Sequence, residues 1–104
     1  MSWDNGKLAS FGDQAKVASS GDNAQLASSG YNTQLASSGD DSVVCGIGYN
    51  NIAKASKGSW ITLAEWKVID GVLKPVCVKT EYVDDEKIKA NVFYKLENGE
   101  FVKV

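Results

Sequence analysis

Residues 8 to 52 of the chain are five consecutive copies of a nine-residue repeat, at 8–16, 17–25, 26–34, 35–43 and 44–52. The first position is always Leu or Val. The second is Ala four times and then Cys45, and the fifth is always Gly. Self-similarity at a short fixed period marks architectures in which each unit buries its apolar face only against its neighbours.

Residue types suggest the local geometry. Around each leading Leu or Val the order small, polar, apolar, Ala, Ser recurs, as in Ala24, Gln25, Leu26, Ala27 and Ser28. Alternation puts Ala24, Leu26 and Ser28 on one face of a strand and Gln25 and Ala27 on the other. The Ser-Gly-Asp-Asn stretch is corner chemistry, in which Gly supplies a positive φ and Asp or Asn closes the turn with its side chain. On this reading the fifth-position glycines, Gly30 among them, serve the corner through a positive φ. A helix is excluded, because Gly every nine residues, flanked by Ser and Asn, would interrupt it at each copy.

The sixth position bears on coil length. Taken every eighteen residues it runs Asp13, Tyr31, Tyr49 on one track and Asp22, Asp40 on the other. Two nonapeptides per coil would stack Tyr31 on Tyr49 at about one strand spacing, ~4.8 Å. The expected fold is therefore a short, flattened parallel β-solenoid with about two nonapeptides per coil. A triangular coil of three nonapeptides and an antiparallel meander are the competing arrangements.

After Ile52 the period dissolves and β propensity rises. A strand from Trp60 ends at an Asp70-Gly71 turn, and its partner from Val72 carries Pro75, which belongs at a sheet edge. Asn98-Gly99 joins a second hairpin. The whole chain reads as all-β: an N-terminal cap over residues 1–7 with Trp3, a β-solenoid over 8–55, and an antiparallel β-hairpin cap over 56–104. Caps are needed because a terminal coil bares apolar core and unpaired strand edges.

The chemistry is read mainly by exclusion. Of 104 residues none is His, which removes the commonest general base and the usual zinc ligand, so no catalytic residue, metal ligand or cofactor is assigned. Calcium-binding nonapeptides follow G-G-x-G-x-D-x-U-x. Setting the anchoring Gly on Gly21 puts Asn23 at the Asp, Gln25 at the apolar residue, and Ala18 and Ser19 at the leading glycines. The run Asp84-Asp85-Glu86 reads as a solvated turn, and Gly46-Ile47-Gly48 lacks the βαβ setting of a dinucleotide loop. A file of Ser20, Ser29 and Ser38 is a less rigid hydroxyl array than Thr would make. All eleven basic residues are Lys. Residues 8–52 carry four Asp against Lys16, a net of −3, and residues 53–104 carry nine Lys against eight acids, a net of +1. Neither half is a nucleic-acid surface. No apolar run approaches the roughly 18 residues of a membrane span, and MSWDNGK lacks a signal-peptide core, so the cytoplasm is the expected location. Cys45 and Cys77 read as buried free thiols, Cys45 as a small core residue at an Ala position. Tyr31 and Tyr49 are the candidate binding residues, a rigid amphipathic ladder suited to a protein or sugar partner. The plainer reading is a corner Tyr packed along its neighbour.

The repeats, followed by Gly48-Tyr49, Ala53-Lys54-Ala55 and the stretches 58–65, 86–89 and 94–102, resemble a family of small proteins associated with bacteriophages and prophages of gut bacteria. Ala90-Asn91 departs from the Pro-Asp often found there, and Trp66 lies in a usually charged stretch. The resemblance implies a phage setting and an accessory role, and it assigns no functional residue. The expectation is a non-enzymatic phage-encoded binding protein in the bacterial host cytoplasm, an inhibitor of a host defence protein, with an unidentified protein partner. The alternative is a structural or adhesive self-associating β-solenoid module, and hence a homo-oligomer.

Overall fold

A computed structural model describes residues 7–10, 13–14, 16–19 and 22–104. The cap expected over 1–7, with Trp3, lies outside the described residues apart from Lys7, as do Gly12, Ser20 and Gly21. The described chain is all-β. Its strands are β1 (Lys7–Ser10), β2 (Lys16–Ser19), β3 (Gln25–Ser28), β4 (Gln34–Ser37), β5 (Val43–Gly46), β6 (Ile52–Lys54), β7 (Trp60–Ile69), β8 (Val72–Tyr82), β9 (Tyr94–Glu97) and β10 (Glu100–Lys103). They form two mixed five-stranded sheets, ordered β1-β3-β5-β7-β8 and β10-β9-β6-β4-β2.

Successive repeats alternate between the sheets. Each repeat strand runs from the ninth position of one copy to the second or third of the next, and it pairs in parallel with the strand two copies on. Lys7 faces Gln25, Gln25 faces Val43, Lys16 faces Gln34 and Gln34 faces Ile52, a constant step of eighteen residues. A one-residue slip would turn every Leu outward, so the leading apolar file holds this register.

Parallel pairing continues past the end of the visible period. The start of β7 lies beside β5 with Val43 facing Trp60 and Gly46 facing Leu63, a step of seventeen. The corner before it is one residue shorter and turns at Gly58, whose φ is +93° and whose N–H donates to the Val83 carbonyl at 3.0 Å. β8 then returns antiparallel on β7, β9 pairs antiparallel with β6, and β10 with β9. Both expected hairpin turns are present. Asp70 and Gly71 have φ of 52° and 76°, Asn98 and Gly99 of 53° and 79°, the pair of positive angles that matches the strands' own twist. β8 is an edge strand, where Pro75 is tolerated, and Val76 bulges between Pro75 facing Trp66 and Cys77 facing Glu65.

The core is the leading file, Leu26, Leu35, Val44, Ala53 and Ile61, all buried between the sheets. Val83, Ile88, Tyr94 and Leu96 close it beside the last rungs. Burying one such Leu or Ile contributes roughly 1.5–3 kcal/mol. Third- and eighth-position residues also point inward, as Ser28, Ser37, Thr33 and Ser42 do. In the fifth copy these two positions change together. A Cβ on Gly46 would stand 3.1 Å from both Asn51 Cβ and Leu35 Cδ1 and 3.2 Å from Leu63 Cδ2, so the third position here has little room for a side chain. Asn51 Oδ1 accepts the Thr33 N–H at 2.8 Å.

The role expected for the corner glycines is corrected. Positive φ falls at the seventh position, at Gln14, Asn23, Asn32, Asp41 and Asn50, and not at the described fifth-position glycines Gly30, Gly39 and Gly48. Asn and Asp tolerate that region because their short polar side chains satisfy nearby backbone. Gly48 is glycine for a different reason: a Cβ there would lie 2.2 Å from the Gly30 carbonyl oxygen and 2.8 Å from that of Ser29. Stacked corners approach backbone to backbone, leaving no volume for a side chain.

Candidate functional site

Tyr31 and Tyr49 occupy the sixth position of the third and fifth copies, and the eighteen-residue step stacks them. Their ring centroids are 5.9 Å apart at an interplanar angle of 72°, an edge-on contact. The corners beneath are tied down. Tyr31 N–H donates to Asp13 Oδ1 at 3.0 Å, Asn32 N–H to the Tyr49 carbonyl at 2.9 Å, and Asn50 Nδ2 to Asn32 Oδ1 at 2.7 Å. On the other track Asp40 N–H donates to Asp22 Oδ1 at 2.9 Å. Asp in the lower corner thus secures the corner above, and Tyr at the same position is released outward. Tyr31 stays 48% and Tyr49 40% exposed, so the ring–ring contact leaves most of a usable face on each.

Tyr49 also borders a pocket of about 170 Å³, where residues 49–51 meet Ala64, Glu65 and Trp66 of β7 and residues 95–97 of β9. Most of its polar groups are already engaged. Glu65, nearly buried, accepts the Asn98 N–H at 2.7 Å and the Gly99 N–H at 3.0 Å. The Asn98 amide foremost, then Gly99 and Lys67, hold its carboxyl below the usual glutamate range against the opposing effect of desolvation. Trp66 Nε1 donates to the Ile47 carbonyl at 2.9 Å, and Lys95 pairs with Glu97 at 3.1 Å. Asn51 Nδ2 is buried with no partner among the described residues. A carboxylate fastened by two turn amides, with a lowered pKa, is poorly suited to general acid–base work, which calls for a pKa near the working pH. The pocket offers two aromatic walls, Tyr49 and Trp66, and can grip an apolar or planar group.

Other aromatic, acidic and serine side chains fall elsewhere. Trp60 and Trp66 lie six residues apart on β7, about 20 Å at the usual strand rise, and share no site. Trp60 packs against Tyr82 instead, in a tilted ring contact with centroids 5.0 Å apart. Asp84 is consumed as a turn cap. Its Oδ1 accepts the N–H groups of Glu86, Lys87 and Ile88 at 2.9, 3.0 and 3.2 Å, and these bonds, Glu86 first, lower its pKa. Asp41 stands beside Gly58, away from the carboxyl–amide bond that joins Asp22 to Asp40. Ser29 and Ser38 are exposed, but they follow strands of different sheets and make no common array.

Cys45 is corrected from core to surface. Its position points outward between Ala27 and Thr62, partly buried by its neighbours, and that burial pushes its thiol pKa up. Cys77 sits on β8 against the core from the inner side, and both cysteines are free. Joining Trp66 and Lys95 to Tyr49 was beyond sequence reasoning, because β7 and β9 reach the corner only through tertiary pairing. Compared with known proteins, the chain matches no family model, no curated protein and no solved structure.

Proposed function

We propose that the chain is a non-enzymatic protein-binding module and that its partner docks on the strip running from Tyr31 through Tyr49 to Trp66. The observation that carries this reading is the laddered, half-exposed tyrosine pair, anchored from below by backbone bonds and continued by a second aromatic wall. Tyr and Trp give large contact area at low entropic cost and are enriched where binding energy concentrates. The scaffold in this proposal is a short parallel β-solenoid of two nonapeptides per coil, with the hairpins of the second half as its cap. The constant step of eighteen, shortened once to seventeen, supports it. The resemblance to phage-associated proteins directs the search for the partner to a bacterial host, and inhibition of a defence protein is the form such binding would take.

The test is capture from host lysate with the native chain and with a Tyr31→Ala/Tyr49→Ala variant, followed by titration of the purified partner. Loss of these anchors should weaken binding at least about thirtyfold, since even a single hot-spot truncation costs roughly 2 kcal/mol or more. Equal affinity for both forms would refute the strip as the docking site.

A further inference from the structure

The outward side of the first sheet is free of charge over its last three strands. Strand pairing sets its residues in rows. Val43 lies beside Trp60 and Trp60 beside Tyr82; Cys45 lies beside Thr62 and Thr62 beside Thr80; Ala64 lies beside Val78. The threonines join through their hydroxyls at 2.8 Å, and Trp60 makes a tilted ring contact with Tyr82. The charged residues of the same strands take the alternate positions, and all but Lys74 have partners among the described residues. Glu65 holds the Asn98-Gly99 turn, Lys79 reaches the Gly99 carbonyl, and Glu81 pairs with Lys79 and Lys87. The outward side of the second sheet is different, with Lys16, Lys54, Lys95 and Glu97 on it.

The uncharged side is also large. Val43, Ile47, Trp60, Val76, Val78 and Tyr82 are each 42–61% exposed. With Val68 they present about 600 Å² of accessible surface, taking roughly 150–250 Å² for a whole aromatic side chain and about 150 Å² for Val or Ile. The largest apolar patch of a typical monomer is about 300–600 Å². Each partner of a standard interface contributes about 800 Å².

We infer that this face is covered by a second copy of the chain, packed sheet on sheet about a two-fold axis. An isologous contact lays a patch on itself, so every charge in it would face a like neighbourhood. A face without charge meets that condition, and it offers nothing to select a partner of complementary charge. Growth by strand addition at the neighbouring edge is hindered, because Pro75 and the Val76 bulge blunt β8. Face-to-face packing closes after two chains and leaves Tyr31 and Tyr49, at the opposite ends of the repeat strands from Trp60, outside the contact, while Trp66, between Ala64 and Val68 on β7, borders it.

Sedimentation of the full chain from about 1 to 300 µM tests this. The 11.1 kDa chain should run as a dimer of twice that mass at the upper concentrations, as an interface of this size holds at micromolar strength or better. Val78→Lys alters a residue 61% exposed, so the monomer keeps its fold, as circular dichroism would verify. A lysine buried in the contact should raise the dissociation constant at least about thirtyfold. Tyr31→Ala/Tyr49→Ala should leave dimerisation unchanged, which separates this inference from the proposed partner strip. A native chain that is monomeric throughout would overturn it. So would a dimer that survives Val78→Lys, or a captured host protein that binds the native chain and not Val78→Lys.

Discussion

Replacing Gly48 with Ala separates two explanations for an invariant corner glycine. The added methyl carbon would sit 2.2 Å from the Gly30 carbonyl oxygen, about 1 Å inside ordinary contact, and both atoms belong to backbone. Relief requires the two corners to part. The bonds at risk flank the site: Asn32 N–H to the Tyr49 carbonyl at 2.9 Å and Ile47 N–H to the Ser28 carbonyl at 3.1 Å. Overpacking costs roughly 1–3 kcal/mol, and each weakened backbone bond adds about 1 kcal/mol. The expected loss is therefore about 3–5 kcal/mol, a large part of the roughly 5–15 kcal/mol that holds a domain folded. Urea unfolding followed by tryptophan fluorescence and circular dichroism would measure it. Two controls sharpen the result. Gly99→Ala places its Cβ in open space at a φ of +79°, so it reports conformational strain alone, about 1 kcal/mol. Gly48→Asn would rescue stability if a left-handed conformation were the requirement, and should be at least as damaging as Ala if close approach is. A Gly48→Ala loss no greater than that of Gly99→Ala, or a rescue by Asn, would refute the close-approach argument.

Two further outcomes are expected. Leu35→Ala removes a fully buried member of the leading file and should cost about 2–5 kcal/mol in the same urea assay; a loss under 1 kcal/mol would mean the sheets collapse easily around the gap. Glu65 and Asp84 both have pKa values lowered by the amides they accept, so the folded state binds fewer protons than the unfolded one. Their contribution is present above the ordinary carboxylate range and is lost as pH falls through the depressed folded values. Glu65→Gln with Asp84→Asn should therefore flatten the acid limb of the stability–pH profile, and an unchanged limb would show that these carboxylates do not couple folding to protons.

Much of the repeat half was legible in the residues. Short-range alternation around each Leu or Val is a local property, and it gave the inward and outward faces correctly for Ala24 through Ser28. Spacing of the sixth-position tyrosines anticipated the eighteen-residue step, because stacking in register brings like residues together. Both two-residue hairpin turns were legible as well, since Asp-Gly and Asn-Gly act through their own backbone preferences. The reason for the corner glycines was not legible. Positive φ and backbone crowding select the same residue, and only the neighbouring corner tells them apart. Cys45 was misjudged for a related reason: a small residue serves equally well in a crowded core and on an outward face, and its strand phase decides which.

Local chemistry alone therefore determined that this chain is β-structured, which repeat positions enter the core and where its tight turns fall. Tertiary structure decided the rest: that the rungs continue through Ala53 and Ile61 after the period lapses, that Trp66 and Lys95 arrive beside Tyr49, and that a charge-free sheet face lies open. These depend on which strands become neighbours. A shortened corner at Gly58 and two antiparallel returns set that pairing, and contacts between residues far apart in the chain leave no periodic trace in the sequence.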